Sequence, residues 1–164
     1  MLRSARHLAI ALLTLAAVPA VAGPPWISIE YPANPHDQRT RDAVLVVNTF
    51  HHGTPSAMPL RGTAEGIVGG ERRTVQLRFG PTERAASFAL TRQWPQEGRW
   101  VLNISLVPSE TGKVEATALV VLGADGTPSR VTVPTRRDGP WSVPRAVTGD
   151  EVLAALRDAG EQRR

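Results

Sequence analysis

Apolar and polar residues alternate with a period of two along much of the chain after residue 25. The clearest stretch is 99–106, where Trp100, Leu102 and Ile104 alternate with mostly polar residues. Because successive side chains of a β-strand point to opposite faces, this alternation predicts a strand with one buried face. Comparable segments are separated by glycine- and proline-rich turns: 26–31, 43–49, 60–68, 72–79, 86–91, 116–122 and 130–133.

A series of short strands without a long helical segment between them predicts an all-β fold, an antiparallel immunoglobulin-like β-sandwich, because parallel strands need long crossovers. Gly69-Gly70 accepts the positive φ of a tight turn, so 60–68 and 72–79 should form a hairpin. The segment 43–49 is apolar on both faces, which indicates a strand covered on both sides. Eight residues are expected in the core: Val44, Val46, Val75, Leu77, Phe88, Trp100, Leu102 and Ile104.

The C-terminal part has a different pattern. Residues 134–144 are rich in Pro, Arg and Gly, and we interpret them as a linker that carries Trp141. The arginine pairs 136–137 and 163–164 are expected to be solvated charges, with an acidic partner or envelope surface as the functional alternative. As a hypothesis, the whole segment from Pro134 onward is a partner-recognition arm.

A short helix is predicted over about 149–159. Thr148 and Glu151 have the spacing of a capping box, in which each side chain bonds the other residue's backbone N–H. The expected apolar side is small, consisting of Val152, Leu153 and Leu156, and a short helix gains most of its stability from packing. We therefore expect this helix to dock only loosely.

The N-terminal segment 1–22 has the three parts of a secretory signal peptide: a basic start, an apolar stretch over 8–18 and the cleavage sequence Ala20-Val21-Ala22. The apolar stretch is too short to span a bilayer as a helix. We expect an exported protein, periplasmic or secreted, that has no transmembrane segment after cleavage. The expected organisation is a signal peptide at 1–22, a β-sandwich domain at 23–133, and a Pro/Arg-rich linker with a short C-terminal helix at 134–164.

The composition removes several function classes. The chain has no cysteine, which excludes disulfides, thiolate metal sites and cysteine nucleophiles. Its formal charge of +4 is small, and export makes nucleic acid a poor partner. No Gly-x-Ser-x-Gly, His-Glu-x-x-His or phosphate-binding loop is present, and the glycines of 66–70 belong to the hairpin turn. We therefore expect a protein that is not an enzyme.

Four residues form the only group of soft or borderline metal ligands: His36, His51, His52 and Met58. Adjacent side chains of a strand point to opposite faces, so His51 and His52 can share one ion only if the strand has ended. We favour ordinary histidines at a polar strand end. The alternative is a periplasmic copper- or zinc-binding protein that uses all four residues.

Three tryptophans lie beside prolines near strand ends: Trp26, Trp94 and Trp141. Large aromatic residues are mostly buried, so we expect all three to cap the core. Exposed aromatics would instead indicate a binding surface.

The sequence Trp94-Pro95-Gln96-Glu97-Gly98-Arg99-Trp100 resembles bacterial exported immunoglobulin-like and fibronectin type III-like modules. The resemblance covers roughly residues 26–122 and implies a sandwich with the last aromatic in its core. The chain is also distantly similar to YtkA-like and CopC-like periplasmic domains. The copper-binding families place histidine near the mature N terminus, where this chain has Gly23-Pro24-Pro25. These features predict an exported, non-catalytic binding or accessory module that acts on a protein or envelope component.

Overall fold

The structure, a computed structural model, describes residues 23–108 and 112–161. The predicted signal peptide and the arginine pair 163–164 lie outside the described residues. The elements in the described ranges are β1 (Trp26–Glu30), β2 (Ala43–His51), β3 (Thr54–Pro55), β4 (Leu60–Val68), β5 (Glu71–Gln76), β6 (Gly80–Pro81), β7 (Ser87–Thr91), β8 (Arg99–Leu106), β9 (Ala116–Leu122), β10 (Pro128–Thr132), β11 (Thr135–Asp138), β12 (Trp141–Pro144) and α1 (Gly149–Glu161).

Two antiparallel sheets share one hydrophobic core. Sheet A has the order β1-β2-β7-β6, with β3 paired to β2, and sheet B has the order β10-β9-β8-β4-β5. Side chains from both sheets belong to the same buried cluster, including Leu45 and Leu90 of sheet A and Leu102 of sheet B. The predicted all-β antiparallel sandwich with a short C-terminal helix is confirmed.

The predicted hairpin at Gly69-Gly70 is also confirmed. Val68 of β4 pairs with Glu71 of β5, which leaves the two glycines as the turn. Their φ values of +58° and +86° lie in the region that glycine occupies without strain.

Trp100 lies at the centre of the core, as expected. Its indole packs directly over Gly66 on the neighbouring strand, where a Cβ atom would overlap the ring. Its Nε1–H donates to the Glu97 carbonyl at 2.9 Å, so the one polar atom of the ring is satisfied. Five of the eight expected core residues are buried: Val46, Leu77, Trp100, Leu102 and Ile104. Three are only half-buried: Val44, Val75 and Phe88.

The sequence predicts that the strand 43–49 is covered on both sides, but in the structure the strand buried along its whole length is β9. One face of β9 contributes to the core between the sheets, and the other packs against α1 through Leu119 and Val121. In β2 only the middle and Thr49 are buried, while both ends are half-buried. The sequence pattern did not anticipate α1 as a third layer, and this layer is what covers the second face of β9.

The helix α1 makes a larger apolar contact than its sequence predicts, and the expectation that it docks loosely stays a prediction. The helix α1 buries four residues against the outer face of sheet B, at the i, i+3, i+4 and i+7 positions of one stripe: Val152, Ala155, Leu156 and Ala159. Leu153, expected on the apolar side, is 39 % exposed. Two alanines were left out of the prediction because their side chains are small, but they allow the helix to approach the sheet closely.

Candidate functional site

Residues 134–144 form a β-hairpin instead of the expected irregular linker. Strand β11 pairs with β12 from Thr135↔Pro144 to Asp138↔Trp141, so Gly139 and Pro140 make a two-residue turn. Gly139 has φ +56°, and proline fixes a negative φ at the next position. A positive φ followed by a negative φ is the pattern of the type II′ hairpin turn.

The hairpin stands away from the sandwich. Within the described ranges β11 and β12 pair only with each other, and no substantial contact joins them to another strand or to α1. Every residue of β11 is exposed, as are the first two residues of β12. Both outer edges of this ribbon therefore present backbone N–H and C=O groups to solvent.

Trp141 is the most exposed large hydrophobic residue of the described chain, with 58 % of its surface accessible. It lies beside the turn, opposite Asp138. Arg136 forms an exposed ion pair with Asp138 at 3.3 Å, and the neighbouring Arg137 is also exposed. The hairpin thus combines an indole with guanidinium groups, the side-chain types that most often dominate protein interfaces.

The base of the hairpin is attached to the helix. The Arg145 N–H donates to the Pro134 carbonyl at 3.0 Å and so extends the ladder by one pair. The Arg145 guanidinium binds both carboxylate oxygens of Glu151, at 2.9 and 2.6 Å. This bidentate pair joins the hairpin to the first turn of α1.

Glu151 also closes the predicted capping box. Its carboxylate accepts from the Thr148 N–H at 2.8 Å, and its own N–H donates to the Thr148 hydroxyl at 3.3 Å. The hydrogen bonds from Arg145 and then from the Thr148 backbone lower the pKa of Glu151 to about 2. The carboxylate is therefore charged at neutral pH. It both caps the helix at Thr148 and binds Arg145 at the base of the hairpin.

The three tryptophans that lie beside prolines differ in how much of each is exposed to solvent. Trp94 is 4 % exposed and belongs to the core, as expected. Trp26 is 37 % exposed at the edge strand β1 and is not part of the buried core cluster, so the expectation that it caps the core is wrong. For Trp141 the expectation of core capping is wrong, because the tight turn carries it away from both sheets.

The candidate metal ligands are not brought together with further ligands. The described residues contain no group of three or more His, Cys, Asp or Glu that could hold an ion. The rings of His51 and His52 stack with centroids 3.8 Å apart, since His52 leaves the strand with φ +51°. His36 lies on an exposed loop, and Met58 packs against the core cluster.

The sequence contained one signal for the hairpin that the linker interpretation overlooked. Gly139-Pro140 is a Gly-X pair of the kind that type II′ turns prefer, flanked by short segments able to pair. The contact between Arg145 and Glu151 has no such signal, because it depends on how the hairpin meets the helix.

No family model, curated protein or solved structure matches this chain. Among the described residues, no helix combines the length and the apolar character needed to cross a membrane.

Proposed function

We propose that this chain is an exported, non-catalytic binding module that holds an envelope protein through the hairpin β11–β12. The observation that carries the proposal is the exposure of Trp141 on a hairpin that pairs with no other strand of the described residues. The resemblance of residues 94–100 to exported immunoglobulin-like modules and the signal-like segment 1–22 support the exported context.

Two features of the hairpin suit a protein partner: the free backbone edges of its strands and its exposed tryptophan and arginine side chains. An isolated two-stranded ribbon is marginally stable in water, so a further strand added at either free edge would stabilise it. Trp141 can then bury its indole in the partner while Arg136 and Arg137 supply charged hydrogen bonds at the rim. Fixing the base through Arg145 and Glu151 lowers the ordering cost of binding.

The test is capture from an envelope fraction by the immobilised protein. We expect the wild type to retain a partner that Trp141→Ala loses. Tyr31→Ala is the matched control, because Tyr31 is an exposed aromatic residue, 45 % accessible, outside the hairpin. Equal capture by Trp141→Ala and wild type would overturn the proposed surface, and a partner lost equally in both variants would show that the hairpin is not specific.

The export half of the proposal has a separate test. Mass spectrometry of the protein recovered outside the cytoplasm should give a chain that starts at Gly23. Retention of residues 1–22 in the cytoplasm would contradict export and leave the binding surface to be judged on its own experiment.

A further inference from the structure

One end of the outer face of sheet A carries a row of aromatic and apolar side chains. The row consists of Trp26, Phe50 and Pro55, because Phe50 of β2 pairs with Trp26 of β1 and with Pro55 of β3. The neighbouring Ile27 and Thr49 are fully buried on the core side, so the row points outward. Trp26 is 37 % exposed, Pro55 is exposed and Phe50 is half-buried. This end of the sheet therefore presents aromatic and apolar groups to solvent.

A cavity of about 480 Å³ opens beside this row. Phe50 and Pro55 line one part of it, and the segment 84–87 that leads into β7 lines another. Because β2 lies between β1 and β7 in the sheet, Phe50 separates the cavity from Trp26. Ala86 in the lining is buried, whereas the neighbouring Ala85 is exposed at the rim.

Each polar side chain that lines this cavity already has a partner within the chain. The Ser87 hydroxyl donates to the side-chain oxygen of Asn48. The Thr49 hydroxyl donates to a backbone carbonyl at 2.6 Å. The Arg84 guanidinium forms an ion pair with Glu30 at 2.6 Å. The lining left to be covered is therefore apolar, and it favours an aromatic group over a polar ligand that would lose its hydrogen bonds to water.

We propose that a second copy of this chain occupies this cavity, in a symmetric dimer in which Trp26 of each copy enters the cavity of the other. The surface is self-complementary, since an exposed indole and an apolar cavity lie on either side of Phe50. A two-fold axis in the interface, parallel to β2 at Phe50, exchanges the two sides and brings each indole over the other copy's cavity. Closed two-fold dimers are the commonest homo-oligomers, and every contact in them occurs twice.

The charges beside the cavity fit the same arrangement. Glu30 belongs to β1, on the same side as Trp26, whereas Arg84 lines the cavity. The two-fold rotation therefore places the carboxylate of each copy near the guanidinium of the other, so opposite charges meet across the interface. A second copy thus supplies both the aromatic group that the lining favours and the complementary charges.

This interface is separate from the surface in the proposed function. The hairpin is tied through Arg145 and Glu151 to α1, which packs on sheet B, whereas the cavity lies on sheet A. The dimer leaves both hairpins free to bind, so the proposal does not depend on what they hold.

The test is sedimentation equilibrium of the purified protein over a concentration series that reaches the millimolar range. We expect a monomer–dimer equilibrium with a Kd of about micromolar order, because a contact centred on one indole and its cavity is small. A monomer at every concentration would mean that something else covers this surface and would overturn the proposal. A series of species larger than the dimer would also overturn it, because a two-fold contact closes on itself.

Two variants and a control locate the contact. Trp26→Ala should weaken the dimer Kd by about tenfold or more, as the loss of a central aromatic residue does. Ala85→Arg, at an exposed position that accepts a long side chain, should also weaken it by blocking the rim of the cavity. Trp141→Ala removes an exposed tryptophan elsewhere and should leave the dimer Kd unchanged. An unchanged Kd in both Trp26→Ala and Ala85→Arg, or loss of the dimer in Trp141→Ala, would contradict the assignment.

Discussion

The helix α1 and the hairpin β11–β12 are neighbours in the chain and share the Arg145–Glu151 pair, yet they meet opposite environments. The helix buries Leu156 to 1 % exposure, while the hairpin leaves Trp141 58 % exposed. The helix packs on an apolar patch of the outer face of β8 and β9, whereas within the described ranges the strands of the hairpin pair only with each other. The two neighbouring segments thus differ in whether the sandwich covers their apolar side chains.

Hydrogen exchange should show the largest difference between the two regions. Amides from Val152 to Leu156 should exchange only on global unfolding, as slowly as those of Leu102 and Ile104, because the helix packs on the core strands. Amides of 136–143 with solvent-facing hydrogen bonds should exchange faster by orders of magnitude through local opening. Equal amide exchange rates in the helix and in the hairpin, whether both slow or both fast, would show that the two regions do not differ in local stability.

Truncating the buried stripe of α1 should have the next largest effect. Leu156→Ala should lower the free energy of unfolding by about 2–5 kcal/mol, as buried leucines do when a cavity is left. Leu153→Ala, on the exposed side of the same helix, should change it by less than about 0.5 kcal/mol. Urea unfolding of both variants measures the difference. A loss below about 1 kcal/mol for Leu156→Ala would mean that the helix docks only loosely on the sheet.

The same comparison shows what the sequence could predict. The start of α1 was predictable because a capping box is local, and Thr148 and Glu151 are three residues apart. The buried stripe was predicted only in part, because Ala155 and Ala159 become apolar contacts only when a sheet lies beneath them. The strands of the sandwich were predictable from alternation, but the double coverage of β9 depends on a helix that follows it by more than twenty residues in the chain.

The candidate surfaces were harder to predict than the fold. The hairpin depends on one turn at Gly139, whose signal was hidden in a segment rich in Pro and Arg. Asn103 of β8 lies beside Thr63 of β4 and Leu119 of β9, and only the register of the three strands brings these residues together. The alternation in 99–106 predicts that Asn103 lies on the opposite face of β8 from Trp100, Leu102 and Ile104, but it cannot show that α1 packs on Val101 of that face.

The Arg145–Glu151 pair between the two regions should have a modest effect that depends on pH. The folded state lowers the pKa of Glu151 from 4.5 to about 2, so its stabilising contribution is complete above pH 4.5 and is lost as the pH falls toward 2. The side chain is 36 % exposed, so solvent screens the pair and we expect no more than about 1 kcal/mol.

The variant Glu151→Gln isolates this charge, because glutamine can still close a capping box. The difference in unfolding free energy between wild type and Glu151→Gln should shrink as the pH falls from 4.5 toward 2, measured by urea unfolding at each pH. A difference that stays constant over this range would show that the ion pair does not form in solution.

The smallest effect on stability is expected at the residue to which we assign the largest role in binding. Trp141→Ala should change the free energy of unfolding by less than about 0.5 kcal/mol, because most of the indole already contacts water. Trp100→Ala, in the core, should lower it by about 3–5 kcal/mol and is the matched comparison. A loss above about 1 kcal/mol for Trp141→Ala would mean that the indole packs on the sandwich in solution. The hairpin would then resemble the helix, and any loss of partner capture in this variant would report on folding instead of contact.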